Sequence, residues 1–267
     1  MSKRSLLGAV LGIVGALVGI IGHFILFQKW YFVGMNTPSA EPGCEILLKT
    51  IHPLMADLGL LGGVLFAVSA YGFLTRRNWA FFLSVVAIVL ALLGSWFVNV
   101  PYMAAGLPPV YFPLFWPYVV LYFLLVKVVG GVSWRRTLLA LFSGMAYIFC
   151  WMNGVASTSR IITIGTPIFT LVQKLHWVAM VGWAVVTVGI LVKPREWTRV
   201  VGLVAGTAEL VVGIPLAIVT GGALGRFSLF ALAPIACLVL VVLFAWPQLW
   251  LKVTELHAPA AEASTGA

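Results

Sequence analysis

Residues His52–Leu74 read HPLMADLGLLGGVLFAVSAYGFL, a run of 23 positions in which Asp57 is the one acidic or basic side chain apart from the leading histidine. A helix rises about 1.5 Å per residue, so the run reaches about 35 Å, enough to cross a hydrocarbon layer of about 30 Å. The strict alternation of a barrel strand is absent, and a helix satisfies every backbone group within its own segment. Seven more stretches of this kind flank it: Leu6–Phe27, Trp79–Val100, Val110–Val129, Leu138–Ala156, Pro167–Val192, Val200–Thr220 and Ser228–Leu249. Turn formers and charge separate them, as in Thr75-Arg76-Arg77-Asn78 and Lys193-Pro194-Arg195-Glu196. The sequence thus predicts an all-α integral membrane protein with eight transmembrane helices.

Composition agrees. Of 267 residues, 62% are hydrophobic and 9% charged, against roughly 45–50% and 25% in soluble domains. A soluble enzyme, a disordered chain and a nucleic-acid binder are excluded on these grounds. The net charge of +9 then belongs to basic loops that set orientation. Placing the N-terminus inside puts eleven of the 16 Lys and Arg on that face, among them Lys3, Arg4, Arg76, Arg77, Lys193 and Arg195. Both termini are therefore expected in the cytoplasm, in the cytoplasmic membrane of a bacterium or archaeon. The first span is longer than a signal-peptide core and lacks an A-x-A-like cleavage site directly after it, so it is read as a retained helix. Three cysteines, Cys44, Cys150 and Cys237, do not make a disulfide framework.

The two halves resemble each other. Ser2-Lys3-Arg4-Ser5-Leu6-Leu7 is echoed by Trp134-Arg135-Arg136-Thr137-Leu138-Leu139, Lys49-Thr50-Ile51-His52 by Gln173-Lys174-Leu175-His176, and Asn78-Trp79 by Glu196-Trp197. Landmarks kept in order indicate duplication. Four spans per copy give two parallel repeats, residues 1–130 and 131–252, followed by a flexible cytoplasmic tail, 253–267.

Polar residues within or beside the spans are the candidate site. His52 and His176 stand at equivalent outer ends of spans two and six, and His23 lies near the outer end of span one. Neutral imidazoles gathered at one level are suited to heme iron or copper; alternatively they hydrogen-bond loop carbonyls. Asp57 and Glu209 are carboxyls where insertion of a charge is costly, placed for a proton path, which Glu45 in the outer connection would join, or for a propionate contact or a helix–helix hydrogen bond. Asp57 is rotated away from the His52 face. Lys127 is placed to snorkel, and His257 to be solvated. The outer connection from Gln28 to Ile51, with Trp30, Tyr31, Glu45 and Lys49, is the longest. Gly8, Gly12, Gly15, Gly19 and Gly22 draw one stripe down span one, suited to close approach of a helix, with Gly59 and Gly63 as its partner, or of a flat cofactor. Pro108, Pro109, Pro113 and Pro117 distort the start of span four. No P-loop, dinucleotide fingerprint, zinc spacing or nucleophile elbow occurs.

In layout the chain resembles the heme A synthase family. The resemblance rests on eight spans in duplicated halves, a histidine at the outer start of spans two and six, Gln173-Lys174-Leu175-His176-Trp177, and Ala208-Glu209-Leu210-Val211-Val212-Gly213. It implies heme binding, heme b as the cofactor, in the outer half, with His52 and His176 as axial ligands. Spans four and eight lack the further histidines that complete axial pairs in that family, and Cys44 stands without a loop partner. The expected function is a heme-binding membrane protein, either heme-modifying or an electron-transfer subunit beside other subunits of a membrane complex. The alternatives are a cofactor-free scaffold of a respiratory or photosynthetic complex and a small-solute transporter.

Overall fold

The computed structural model describes residues 3–38, 44–164, 167–225 and 227–256. Among them it is helical, with no strand. The helices are α1 Lys3–Asn36, α2 Cys44–Leu74, α3 Ala80–Ala104, α4 Phe112–Val129, α5 Trp134–Ile164, α6 Pro167–Val192, α7 Glu196–Leu224, α8 Leu232–Ala245 and α9 Pro247–Thr254. Seven of them are long and apolar enough to cross a membrane, and α8 with its preceding turn makes an eighth if the bent pair α8–α9 is taken as one span.

In chain order α1 packs on α2, α2 on α3 and α3 on α4, while α4 returns to α1. The second set does the same: α5 on α6, α6 on α7, α7 on α8, and α8 back on α5. The two four-helix bundles meet where α3 packs on α6 and α5 approaches α2 and α3. Large apolar side chains such as Leu17, Ile21, Phe24, Val204 and Val211 face outward, the inverse of a soluble bundle and suited to lipid.

The glycine stripe is a helix-packing device. A Cβ added at Gly8, Gly12, Gly15 or Gly19 would strike Phe73, Ala70, Phe66 and Gly63 in turn, the last at 2.5 Å. Small residues let the two backbones approach, which leaves no room for a flat cofactor along this seam. Gly63 is the expected partner; Gly59 instead lies against the His23 ring.

Three boundaries differ from the sequence reading. The connection expected over Gln28–Ile51 is mostly helical: α1 continues to Asn36 and α2 begins at Cys44. Phe27 and Tyr31 stack at 4.8 Å, four residues apart on one helix face, and no proline interrupts the chain before Pro38. The prolines of span four distort little at its start, since Pro108 and Pro109 precede the helix and Pro113 sits in its first turn, where a missing N–H costs nothing. Span eight ends at Ala245 rather than Leu249. Pro247 opens α9, bent 96° from α8, and Trp250 and Thr254 bury α9 against the bundle.

Basic residues close the ends of several helices. Arg136 donates to Ile190 O at 2.7 Å and Leu191 O at 3.0 Å, capping α6, and Arg199 donates to Phe244 O at 2.6 Å, capping α8. Lys127 donates to Val132 O at 2.5 Å and lies over the Trp134 ring at 4.4 Å.

Candidate functional site

The second bundle encloses a polar cluster. α5 contributes Asn153, α6 His176 and α7 Glu209, all fully buried. His176 Nδ1 lies 2.7 Å from Glu209 Oε2, and Asn153 Nδ2 donates to Glu209 Oε1 at 2.8 Å and to Phe230 O at 3.1 Å. Ser157 Oγ donates to the Asn153 carbonyl, bracing the amide-bearing turn. Gly213, one turn beyond Glu209, leaves space that a Cβ would take from Oε1.

With the carboxyl group ionised and accepting on both oxygens, His176 carries its proton on Nδ1. In the neutral ring Nε2 then carries the lone pair. That atom is buried and without a hydrogen-bond partner. An imidazole that donates through one nitrogen to a carboxylate and leaves the other free has the orientation of a metal-bound histidine. The donor set at His176 is that of an imidazole held at one nitrogen and unpartnered at the other.

His52 is held differently. Tyr102 OH donates to Trp30 O at 2.8 Å and so accepts from His52 Nδ1 at 2.9 Å, and Tyr111 OH donates to His52 Nε2 at 2.8 Å. Phe27 and Tyr31 complete a ring cage at 5.0 and 5.9 Å between centroids. Tyr111 is itself placed by its N–H donating to Asn99 Oδ1 at 2.7 Å. Both imidazole nitrogens are occupied, so ligation at His52 requires a tyrosine to withdraw.

His23 follows a π-helical turn, Val18–Gly22, and its Nδ1 bonds Gly19 O at 2.9 Å. Its Nε2 is buried and unpartnered, yet faces the α2 backbone at Gly59. Burial at all three histidines excludes rings pointing into lipid. Asp57 is exposed on α2 and has no partner among the described residues, so it belongs to neither cluster. The side chain of Glu45, and His257 entirely, lie outside the described residues.

Compared with known proteins, the chain matches no family model, no curated protein and no solved structure. The site must stand on its own chemistry.

Asn153, Tyr102, Tyr111 and the thiol pair Cys150–Cys237, 3.9 Å apart beneath the Trp183 N–H, were not singled out by sequence. Asn153 had a signal, an amide within an apolar span. The tyrosines, at the two ends of the connection between spans three and four, carried no signal that tied them to His52. A cavity of about 210 Å³ lies between the bundles, bordered by Trp96, Tyr122 and Tyr147; none of the histidines borders it.

Proposed function

We propose that this protein binds heme in its second bundle, with His176 Nε2 as axial ligand and Glu209 and Asn153 orienting the ring. The observation that carries this reading is the buried, partnerless Nε2 of an imidazole anchored to a carboxylate. Among the described residues no three His, Cys, Asp or Glu side chains gather around a bare ion. Iron at His176 would thus have to bring its own equatorial ligands, as heme b does. Bound heme supplies one-electron and oxygen chemistry. The chain's own residues would fix the ligand's tautomer and orientation through the carboxylate and exclude water from the ring.

His52 then serves as a structural anchor of the outer first bundle, since its nitrogens are saturated by tyrosines. The two bundles are read as parallel repeats with both termini in the cytoplasm, residues 1–130 and 131–252, and the protein as a heme-modifying enzyme of heme A synthase type or an electron-transfer subunit within a larger membrane complex. The test is an absorption spectrum of purified protein supplemented with heme: a Soret band lost in His176→Ala supports the reading.

A second reading, a cofactor-free scaffold subunit, is favoured by the saturated cage around His52 and the tight α1–α2 seam. It expects colourless protein and stoichiometric partners on purification. Transport of a small solute is a third reading, in which the exposed Asp57 and buried Glu209 line a path; flux into liposomes that is unchanged in Asp57→Asn and Glu209→Gln would remove those acids from the path, and absence of flux would remove the reading.

A further inference from the structure

Where α3 and α6 meet at the seam between the bundles, they leave an open groove of about 530 Å³. Its walls run from Phe82 to Leu90 on α3 and from Ala184 to Val192 on α6. Eight residues of helix rise about 12 Å, less than half of a hydrocarbon layer of about 30 Å, so the groove occupies one leaflet.

At the end where α6 stops, the lining changes from aliphatic to Lys193, Arg195 and Trp197. Both cations are exposed, and among the described residues neither side chain meets a carboxylate or a hydrogen-bond acceptor. The neighbouring carboxylate is not free to serve them, because Glu196 is paired with Arg199 at 2.9 Å. The indole of Trp197 packs over Gly189 and remains half exposed, the position that an aromatic side chain takes at headgroup level.

The apolar walls suit hydrocarbon, and two cations without a protein partner at the level where the helix turns suit an anion. One molecule meets both demands when its charge and its chain adjoin. We propose that this groove is a binding site for an anionic phospholipid, one acyl chain lying between α3 and α6 and the phosphate held by Lys193 and Arg195. Bound there, the lipid fills the seam between the two bundles and fastens them together in one leaflet.

The test uses the full chain in detergent, exchanged into mixed micelles of phosphatidylglycerol and phosphatidylcholine, with retained lipid counted by native mass spectrometry. The wild type is expected to retain phosphatidylglycerol preferentially. Lys193→Gln and Arg195→Gln each reduce that preference about fivefold, and the double variant roughly 25-fold. Val185→Phe, which fills the groove with both cations intact, lowers retention of the bound lipid. Arg76→Gln, a basic residue outside the groove, leaves the preference unchanged. Equal retention of the two lipids, an unchanged preference in the double variant, retention unaffected by Val185→Phe, or displacement of phosphatidylglycerol by inorganic phosphate would each overturn the proposal.

Discussion

His176 and Glu209 face each other across 2.7 Å in a fully buried contact between α6 and α7. Neither side chain is satisfied by its own helix, so the pair sets the relative rotation of the two helices as well as the ring's tautomer. Asn153 from α5, whose amide also donates to the Phe230 carbonyl, closes the other side of the carboxyl group, and His176 Nε2 and Asn153 Oδ1 are the cluster's atoms left without a partner. The proposed chemistry and the stability of the bundle therefore meet in the same residue, Glu209, and are separable by the choice of substitution.

Glu209→Ala leaves a buried imidazole and a buried amide without their acceptor, at a cost of about 3–5 kcal/mol, read as a lowered midpoint in detergent thermal unfolding. Glu209→Gln keeps the shape and one acceptor oxygen. It is expected to unfold at a higher temperature than the Ala variant and to bind heme roughly 10–100-fold more weakly than the wild type. Equal heme affinity in wild type and Gln variant would remove the carboxylate from the ligand's support.

Tyr111→Phe removes the donor to His52 Nε2, and Tyr102→Phe the acceptor of its Nδ1 proton. Each leaves a buried polar atom unmatched, at about 1–3 kcal/mol. Stability should fall in both while a heme spectrum carried by His176 stays as it was. A spectral change in either variant would return His52 to the ligand set.

Gly59→Ala drives a methyl group into the His23 ring. The expected loss is about 1–3 kcal/mol, and His23→Ala in the same chain should restore most of it, since the colliding ring is gone. A double-mutant cycle measures this coupling. Additive losses would show that the ring and the glycine do not constrain each other.

Orientation is open to direct measurement. Single cysteines placed at Asn78 and Lys193, in a background without native cysteines, should react with a membrane-impermeant thiol reagent from the cytoplasmic face, and one at Gly106 from the outer face. The opposite pattern would invert the basic-residue reading.

The spans were legible because a run such as His52–Leu74 has one physical solution in a bilayer. Their ends were less so. Nothing in hydropathy says that the chain continues as helix past Gln28-Lys29 to Asn36, whereas ring stacking along one face does. The break at Trp246–Pro247 was visible only as a proline within an apolar run. The site was legible in part: the two histidines stand out equally in sequence, yet their partners lie far along the chain. Tyr111 is 59 positions from His52, and Glu209 is 33 from His176. The glycine stripe was readable as close packing from its spacing alone, while its register against Phe66, Ala70 and Phe73 needed the fold.

The central claim is that His176 holds a ligand through Nε2. Absorption spectra of the purified protein, after heme supplementation, test it most directly beside His176→Ala and His52→Phe, with helical content checked by far-UV circular dichroism. A Soret band that persists in the His52 variant and vanishes in the folded His176 variant is the predicted result. Colourless wild-type protein, or a band unchanged by loss of His176, would contradict it.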